Sequence, residues 1–304
     1  MQKFQLLPLL LCGFLVCSCS QQPDNKAPRA TDDQAPEQQL SAEIAETSGL
    51  ACLRNNQFLT INDSGNAATV YQLDASGRII NRYATNGRNQ DWEALALHQG
   101  RLWIADIGNN SGQRATLDLY NAPIPQGQIK ELMVDRLELR YPQAPMTKPS
   151  FYQHELDAEA LVSTGDSLLI FSKNWIGLQS RVYAVDTNAK ASTLAQVGVT
   201  SALPGVITDV AYSAQQQVFV VAGYENFRLN PLTFMLSGDF APFIAVLDAK
   251  YQLITSVQIP TGGQLEAVCL DDTQNIWLSQ ESSSHHKAKM WRWGALSTLL
   301  SATD

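Results

Sequence analysis

The sequence predicts an all-β fold, a five-bladed β-propeller of four-stranded blades, with six blades as the alternative. Three observations predict it. A step of a polar residue, a small residue and an apolar residue opens strands along the whole chain: Ser48-Gly49-Leu50, Glu93-Ala94-Leu95, Glu159-Ala160-Leu161, Asp209-Val210-Ala211 and Glu266-Ala267-Val268. The middle residues of these steps lie 45, 66, 50 and 57 positions apart, the spacing of blades joined by loops of unequal length. Between them run short β-branched or aromatic segments bounded by turn residues, and no Pro/Gly/Ser-rich break divides residues 41–304.

The elements follow in order. Blade one reads as strands over 49–53, 58–62, 69–74 and 79–84, with Asp74-Ala75-Ser76-Gly77 as the turn between its outer strands. Blade two reads 94–98, 102–106, 116–121 and 136–141, and blade three 160–163, 168–172, 181–186 and 193–199. Blade four reads 210–213, 218–222, 243–248 and 253–259. Blade five reads 267–271, 276–280 and 289–293, with a short tail over 296–300 as its last strand. A sixth blade would have to lie within 141–157 or 41–46, and neither holds four strands; Glu43 to Glu46 could instead add an edge strand that closes the ring.

The N-terminus is read apart from the fold. Residues 1–18 carry one lysine, Lys3, and the apolar run Leu6 to Val16, too short to span a bilayer and of the length of a signal h-region. The run ends in Val16-Cys17-Ser18-Cys19, which resembles the lipobox of bacterial lipoproteins. That likeness implies cleavage before Cys19, its diacylation, and, since Ser20 and not aspartate follows, an outer-membrane anchor with the propeller in the periplasm or at the cell surface. Residues 19–40 are rich in Gln, Pro, Asp, Asn and Ala and poor in apolar side chains, so they read as a tether. Loss of residues 1–18 removes only Lys3, leaving the mature chain one unit more negative than the −8 of the full sequence. This charge argues against nucleic acid or an anionic lipid surface as a partner, and the chain is expected to act as a monomer.

The strand openings Thr47-Ser48-Gly49-Leu50-Ala51, Asp91-Trp92-Glu93-Ala94-Leu95-Ala96, Asp157-Ala158-Glu159-Ala160-Leu161 and Leu265-Glu266-Ala267-Val268 resemble those of the SdiA-regulated and phytase-like secreted β-propellers. In that group S-G-L and D-x-E-G steps start successive blades; here Ala94, Ala160 and Ala267 stand where glycine is usual. The resemblance implies a propeller and, because calcium-dependent phosphoesterases lie at the edge of the group, raises the expectation of a metal.

In a propeller blade the start of the first strand and the end of the second meet at one mouth of the channel. Glu93, Glu159, Asp209 and Glu266 therefore form an inner acidic ring, with Asp63, Asp106 and Asn174 as supplements. Crowded carboxylates need a cation or protons among them. Calcium takes oxygen ligands in flexible geometry, and no Cys/His spacing suits zinc. Alternatively each acid caps its blade by accepting backbone N–H bonds, with Lys173 neutralising the mouth. Trp92 and Trp175 fall near the mouth and could stack on a ligand, and His154 is the candidate for a general base. The sequence thus points to a module that binds a small molecule or protein at an acidic mouth through a divalent cation, with a calcium-dependent phosphoester or ester hydrolase as the other reading. Cys52 and Cys269 lie on first strands that neighbour each other across the closure, and pair as a disulfide or remain buried thiols.

Overall fold

The computed structural model describes residues 36–142, 151–229 and 236–301. Five blades stand around a channel, each running from an inner strand outward through antiparallel neighbours. Blade one is Thr47–Leu53, Gln57–Asn62, Thr69–Asp74 and Ile79–Ala84. Blade two is Trp92–His98, Arg101–Asp106, Leu117–Pro123 and Asp135–Arg140. Blade three is Asp157–Ser163, Leu168–Lys173, Arg181–Val185 and Ala195–Val199, and blade four Val206–Ser213, Val218–Glu225, Ala241–Leu247 and Leu253–Gln258. Blade five has Leu265–Leu270, Asn275–Gln280 and Lys289–Ala295, and its outermost strand comes from the other end of the chain: Gln38–Gln39 pairs with it, Gln38 opposite Met290.

That closure differs from the expected one in two respects. The segment expected to be blade five's last strand is the helix Leu296–Ser301, because Leu296 and Leu299, three apart, both turn inward onto the blade four to five core. Residues 42–44 form a 3₁₀ turn capped by Ser41, while the closing strand lies just before them, inside the stretch read as tether. The segment expected as one strand over 193–199 is also divided. Ala191–Thr193 runs parallel to Asp135–Arg140 as a fifth strand of blade two, and Ala195–Val199 alone edges blade three.

The apolar residues of the alternating strands fill the spaces between sheets. Five buried clusters occupy the five blade interfaces, including one between blades five and one built on Leu50, Phe58, Leu73, Ala267, Trp277 and Met290. Each fully buried Leu, Ile or Phe contributes about 1.5–3 kcal/mol, so the ring is held by side chains between blades as much as by strand pairing within them. Trp92 belongs to the cluster between blades one and two: it is fully buried, with its indole N–H donated to Arg88 O, and offers no stacking surface to the channel.

A feature repeated in all five inner strands positions the site. The ladder skips one residue near the start of each: Gly49, Glu93, Glu159, Thr208 and Glu266 have no partner opposite them. These β-bulges bring the five residues to the same height and bend the strand entry toward the channel. In blade one the place is taken by glycine at φ 68°, where a Cβ would meet Leu95 N at 2.8 Å, so only glycine allows blades one and two to approach there.

Cys52 and Cys269 are joined across the closure with their Cα atoms 5.6 Å apart, sealing a loop of 217 residues. Replacing both by serine should cost about 2–5 kcal/mol of stability, read as a lower urea midpoint. In the wild-type protein denatured without reductant, thiol reagent should label neither Cys52 nor Cys269 when its peptides are mapped by mass; labelling of both would remove the crosslink.

Candidate functional site

The bulged residues of blades two, three and five are all glutamates, and they face a cavity of about 120 Å³ at one channel mouth. At about 30 Å³ per water, this holds a hydrated ion or the tip of a larger molecule rather than a whole drug-sized ligand. Its walls include Glu46, Asp63, Glu93, Glu159, Glu266 and Glu281, with Lys173 as the one basic side chain among the described lining residues.

The acids divide by what their oxygens touch. Asp106 accepts the backbone N–H groups of Gln90 and Asp91 and pairs with Arg114 at 2.7 Å. Asp157 accepts Asn109 N and the Trp175 indole N–H. Asp209 accepts Val210 N and, across the blade interface, Val268 N at 3.0 Å. These three are caps. Among the described residues no hydrogen bond reaches the carboxylates of Glu93 or Glu266, although Glu93 is only 5 % exposed. Asp63 accepts Ser64 N, and Glu159 meets Lys173.

Of the seven ligands expected from sequence, Asp63, Glu93, Glu159 and Glu266 are brought together, and Asp106, Asp209 and Asn174 are not. Asp209 is one residue past the bulge, where Thr208 stands in line with the glutamates, so its side chain turns into the blade wall. The amide of Asn174 is spent on Glu155, Gln179 O and Ile176 N. His154 is buried; its Nδ1 accepts Leu156 N, so Nε2 carries the proton and donates to Asn110 O, leaving no free base. Trp175 does line the cavity, packed edge-on against Tyr152 at 4.4 Å and Phe227 at 5.6 Å.

Sequence reasoning missed Asp91 and Glu281. One carboxylate oxygen each of Asp63, Asp91 and Glu93 lies within 4.8 Å of the others, a three-acid group shared by blades one and two. Local bonds impose this approach. Asn89 donates to Asn62 O and Asp63 O and accepts Trp92 N, tying the Asp63 turn to the strand that carries Glu93. Ser48 Oγ donates to Glu93 O. Behind them Arg114 holds Gly108 O and the Asp106 carboxylate that in turn holds Asp91 N. A Cβ on Gly108 would fall 2.1 Å from a Glu93 carboxylate oxygen, so the missing side chain is the space the acids use. The available signal was the repeated D-x-E of Asp91-Trp92-Glu93 and Asp157-Ala158-Glu159, followed after blade two's second strand by glycine.

Burial and mutual repulsion set the protonation. Burial, with Glu159 and Asp63 next, holds Glu93 well above the usual carboxylate range. Burial, then Asp63 and Asp157, pushes Asp91 up to about 7 against the pull of Arg114, and burial pushes Glu281 up to about 7. Glu266 is raised by burial and by Glu281. Burial pulls Lys173 down, but Glu159, Tyr224 and Glu266 more than reverse this and leave it above its ordinary value, so its ammonium is charged.

No family model matches the chain, and no curated protein sequence is significantly similar to it. Among solved structures it is similar to the PQQ-bound aldose sugar dehydrogenase of Streptomyces coelicolor, with 14% identity and a TM-score of 0.46 over 87% of this chain and 99% of that one. A gluconolactonase of Xanthomonas campestris follows at 14% identity and 0.45, covering 82% and 72%. The β-propeller domain of Myceliophteria thermophila Cps50 (Swd1) shares 10% identity at 0.40, covering 84% and 99%. The likeness lies in the propeller form; it carries no residue and no chemistry over to this chain.

The raised acids fix the sign of a pH effect. Asp91 and Glu281 titrate near 7 in the folded protein, against about 4 in the unfolded chain. The folded state therefore holds protons that the unfolded state has released, and their contribution to stability is full below about pH 4 and lost as pH rises toward about 7. With chelator present, the melting temperature should fall between about pH 5 and 7.5, and Asp91→Asn should flatten part of that fall. A slope unchanged in the variant would disconnect Asp91 from it.

Proposed function

We propose that this propeller binds a divalent cation, calcium foremost, at Asp63, Asp91 and Glu93, and through it a ligand or partner at the acidic mouth. The observation that carries this reading is the three-carboxylate group within 4.8 Å, two of whose members are supplied by one inner-strand entry and the third by the neighbouring blade. Glu93 supports it independently, as a buried carboxylate that faces the cavity and has no hydrogen-bond donor among the described residues. The donors are all hard oxygens, the set that suits calcium and not zinc. Gly108 leaves the room that a set of oxygens needs to converge. The hydrolase reading loses its histidine candidate, since both ring nitrogens of His154 are committed.

An ion at these acids binds the folded state and not the unfolded one, so calcium should raise the melting temperature with concentration, by about 2.7 kcal/mol of stability at one hundred times the dissociation constant. Glu93→Gln or Asp91→Asn should abolish the rise. Asp209→Asn should lower stability yet keep it, because that acid holds Val268 N and takes no part in the site. A melting temperature indifferent to millimolar calcium, or a response that survives Glu93→Gln, would sink the assignment.

The reading includes an anchor. Cys19, which lies outside the described residues, is diacylated in this proposal and holds the propeller at the outer membrane. The support is the small residue Ser18 before it and the preceding apolar run. Cys19→Ser should shift the folded protein from the membrane to the soluble fraction and end incorporation of labelled palmitate. Equal membrane retention of wild type and variant would dispose of the anchor.

A further inference from the structure

The wall of the mouth turns its donors inward and leaves acceptors toward the cavity. Ser48 Oγ donates to Glu93 O, Gln264 Nε2 to Glu281 and the Trp175 indole N–H to Asp157, while the Lys173 ammonium meets Glu159 at 3.2 Å. Glu93 lines the cavity at 5 % exposure, and no donor among the described residues reaches its carboxylate. The same holds for the carboxylate of Glu266, which lines the cavity from blade five. An ionised carboxylate only accepts, and a protonated one keeps acceptor capacity. Whatever enters must therefore bring hydrogens.

The ion sets a second condition. Calcium takes about six to eight oxygens, so three carboxylates giving one oxygen each leave positions for oxygens of the ligand. The entrant has to offer lone pairs to the ion and protons to the wall. An ammonium has protons but no lone pair. A carboxylate or phosphate has lone pairs but no proton when ionised, and it would add negative charge to a lining of six acids and one lysine. A hydroxyl offers both. The third condition is apolar: Tyr152, Trp175 and Tyr224 line the same cavity, the first two with ring centres 4.4 Å apart, and such rings receive C–H groups better than another charge-free polar surface would. A cavity of about 120 Å³ admits one edge of a ring, not a whole chain.

We propose that the ligand of the mouth is a carbohydrate, held by two adjacent hydroxyls of one terminal ring. The hydroxyl oxygens replace water on the ion at Asp63, Asp91 and Glu93, and their protons go to cavity carboxylates, Glu266 among them. The C–H face of the ring lies toward Tyr152 and Trp175. The inference rests on the cation reading above and adds to it the chemical class of the ligand.

The test is calorimetric titration of the calcium-saturated protein with the methyl glycosides of glucose, galactose, mannose and N-acetylglucosamine, with spermidine and citrate as the amine and anion arms. The expected result is millimolar binding of at least one glycoside that disappears in chelator and in the analogue lacking one of the two hydroxyls. At saturating calcium, Glu266→Gln should weaken that glycoside about tenfold, the effect of losing a hydrogen bond to a charged group. The deoxy analogue carries the same test on the wild-type protein if that variant does not fold. Binding of none of the four glycosides, equal binding with chelator, an affinity unchanged by Glu266→Gln, or binding of spermidine or citrate alone would overturn the proposal. A melting temperature that calcium leaves unchanged, measured before any sugar is added, overturns the underlying cation reading, a separate failure.

Discussion

One extra residue in each inner strand governs the whole mouth. A strand without it would send Glu93, Glu159 and Glu266 alternately into the channel and the blade wall as the local phase of each blade dictated. With the ladder broken at the same place five times, the unpaired residues come to one level, and what each blade contributes depends only on the residue type at that level. Glycine brings two blades close, threonine bonds its hydroxyl to Leu265 O at 2.6 Å and so ties blade four to five, and the three glutamates face the cavity. Fold and chemistry are divided among five equivalent positions.

Framework donors separate two sets of acids. Asp106, Asp157 and Asp209 each accept two or more donors from the framework and so hold loops and strand entries in place, although burial raises all three, Asp209 well above the usual carboxylate range. Among the described residues the carboxylates of Glu93 and Glu266 have no such donors, and mutual repulsion adds to desolvation in raising them. A folded chain keeps such a group because the framework behind it is over-determined: Asn89, Arg114 and Ser48 fix the backbone that carries the acids, while the carboxylates themselves are left to be balanced by protons, Lys173 or an ion.

Much of this was legible in the sequence. The five repeats, nearly all strand positions and four of the cavity acids followed from period-two patterning and turn residues, which report burial directly. The phase of blade four did not follow. Reading acid against acid aligned Asp209 with Glu93, whereas the bulge aligns Thr208 with it, and a bulge leaves no mark in composition. Asp91 was passed over because its counterpart in the repeat, Asp157, has the same sequence context; the difference lies in the neighbours, an indole N–H and a backbone N–H beside Asp157 and the bare Cα of Gly108 beside Asp91. The closing strand was hidden because two glutamines in a polar stretch carry no apolar signature, and their pairing is fixed by where Met290 and Lys289 end up in space.

The ring is fastened twice at its seam, at two distances from the axis. Near the channel the Cys52–Cys269 bond joins blade five to blade one covalently; at the rim, Gln38–Gln39 is clipped to Met290 and Lys289 by a short antiparallel ladder, continued by Leu40 N to Ala288 O. Tension applied through the residues before Gln38 is taken first by the rim. Those few bonds can peel while the inner fastening keeps the five blades closed, so the propeller has a sacrificial outer clip and a permanent inner one. Mechanical load on the leading segment is thereby separated from the geometry of the acids at the mouth.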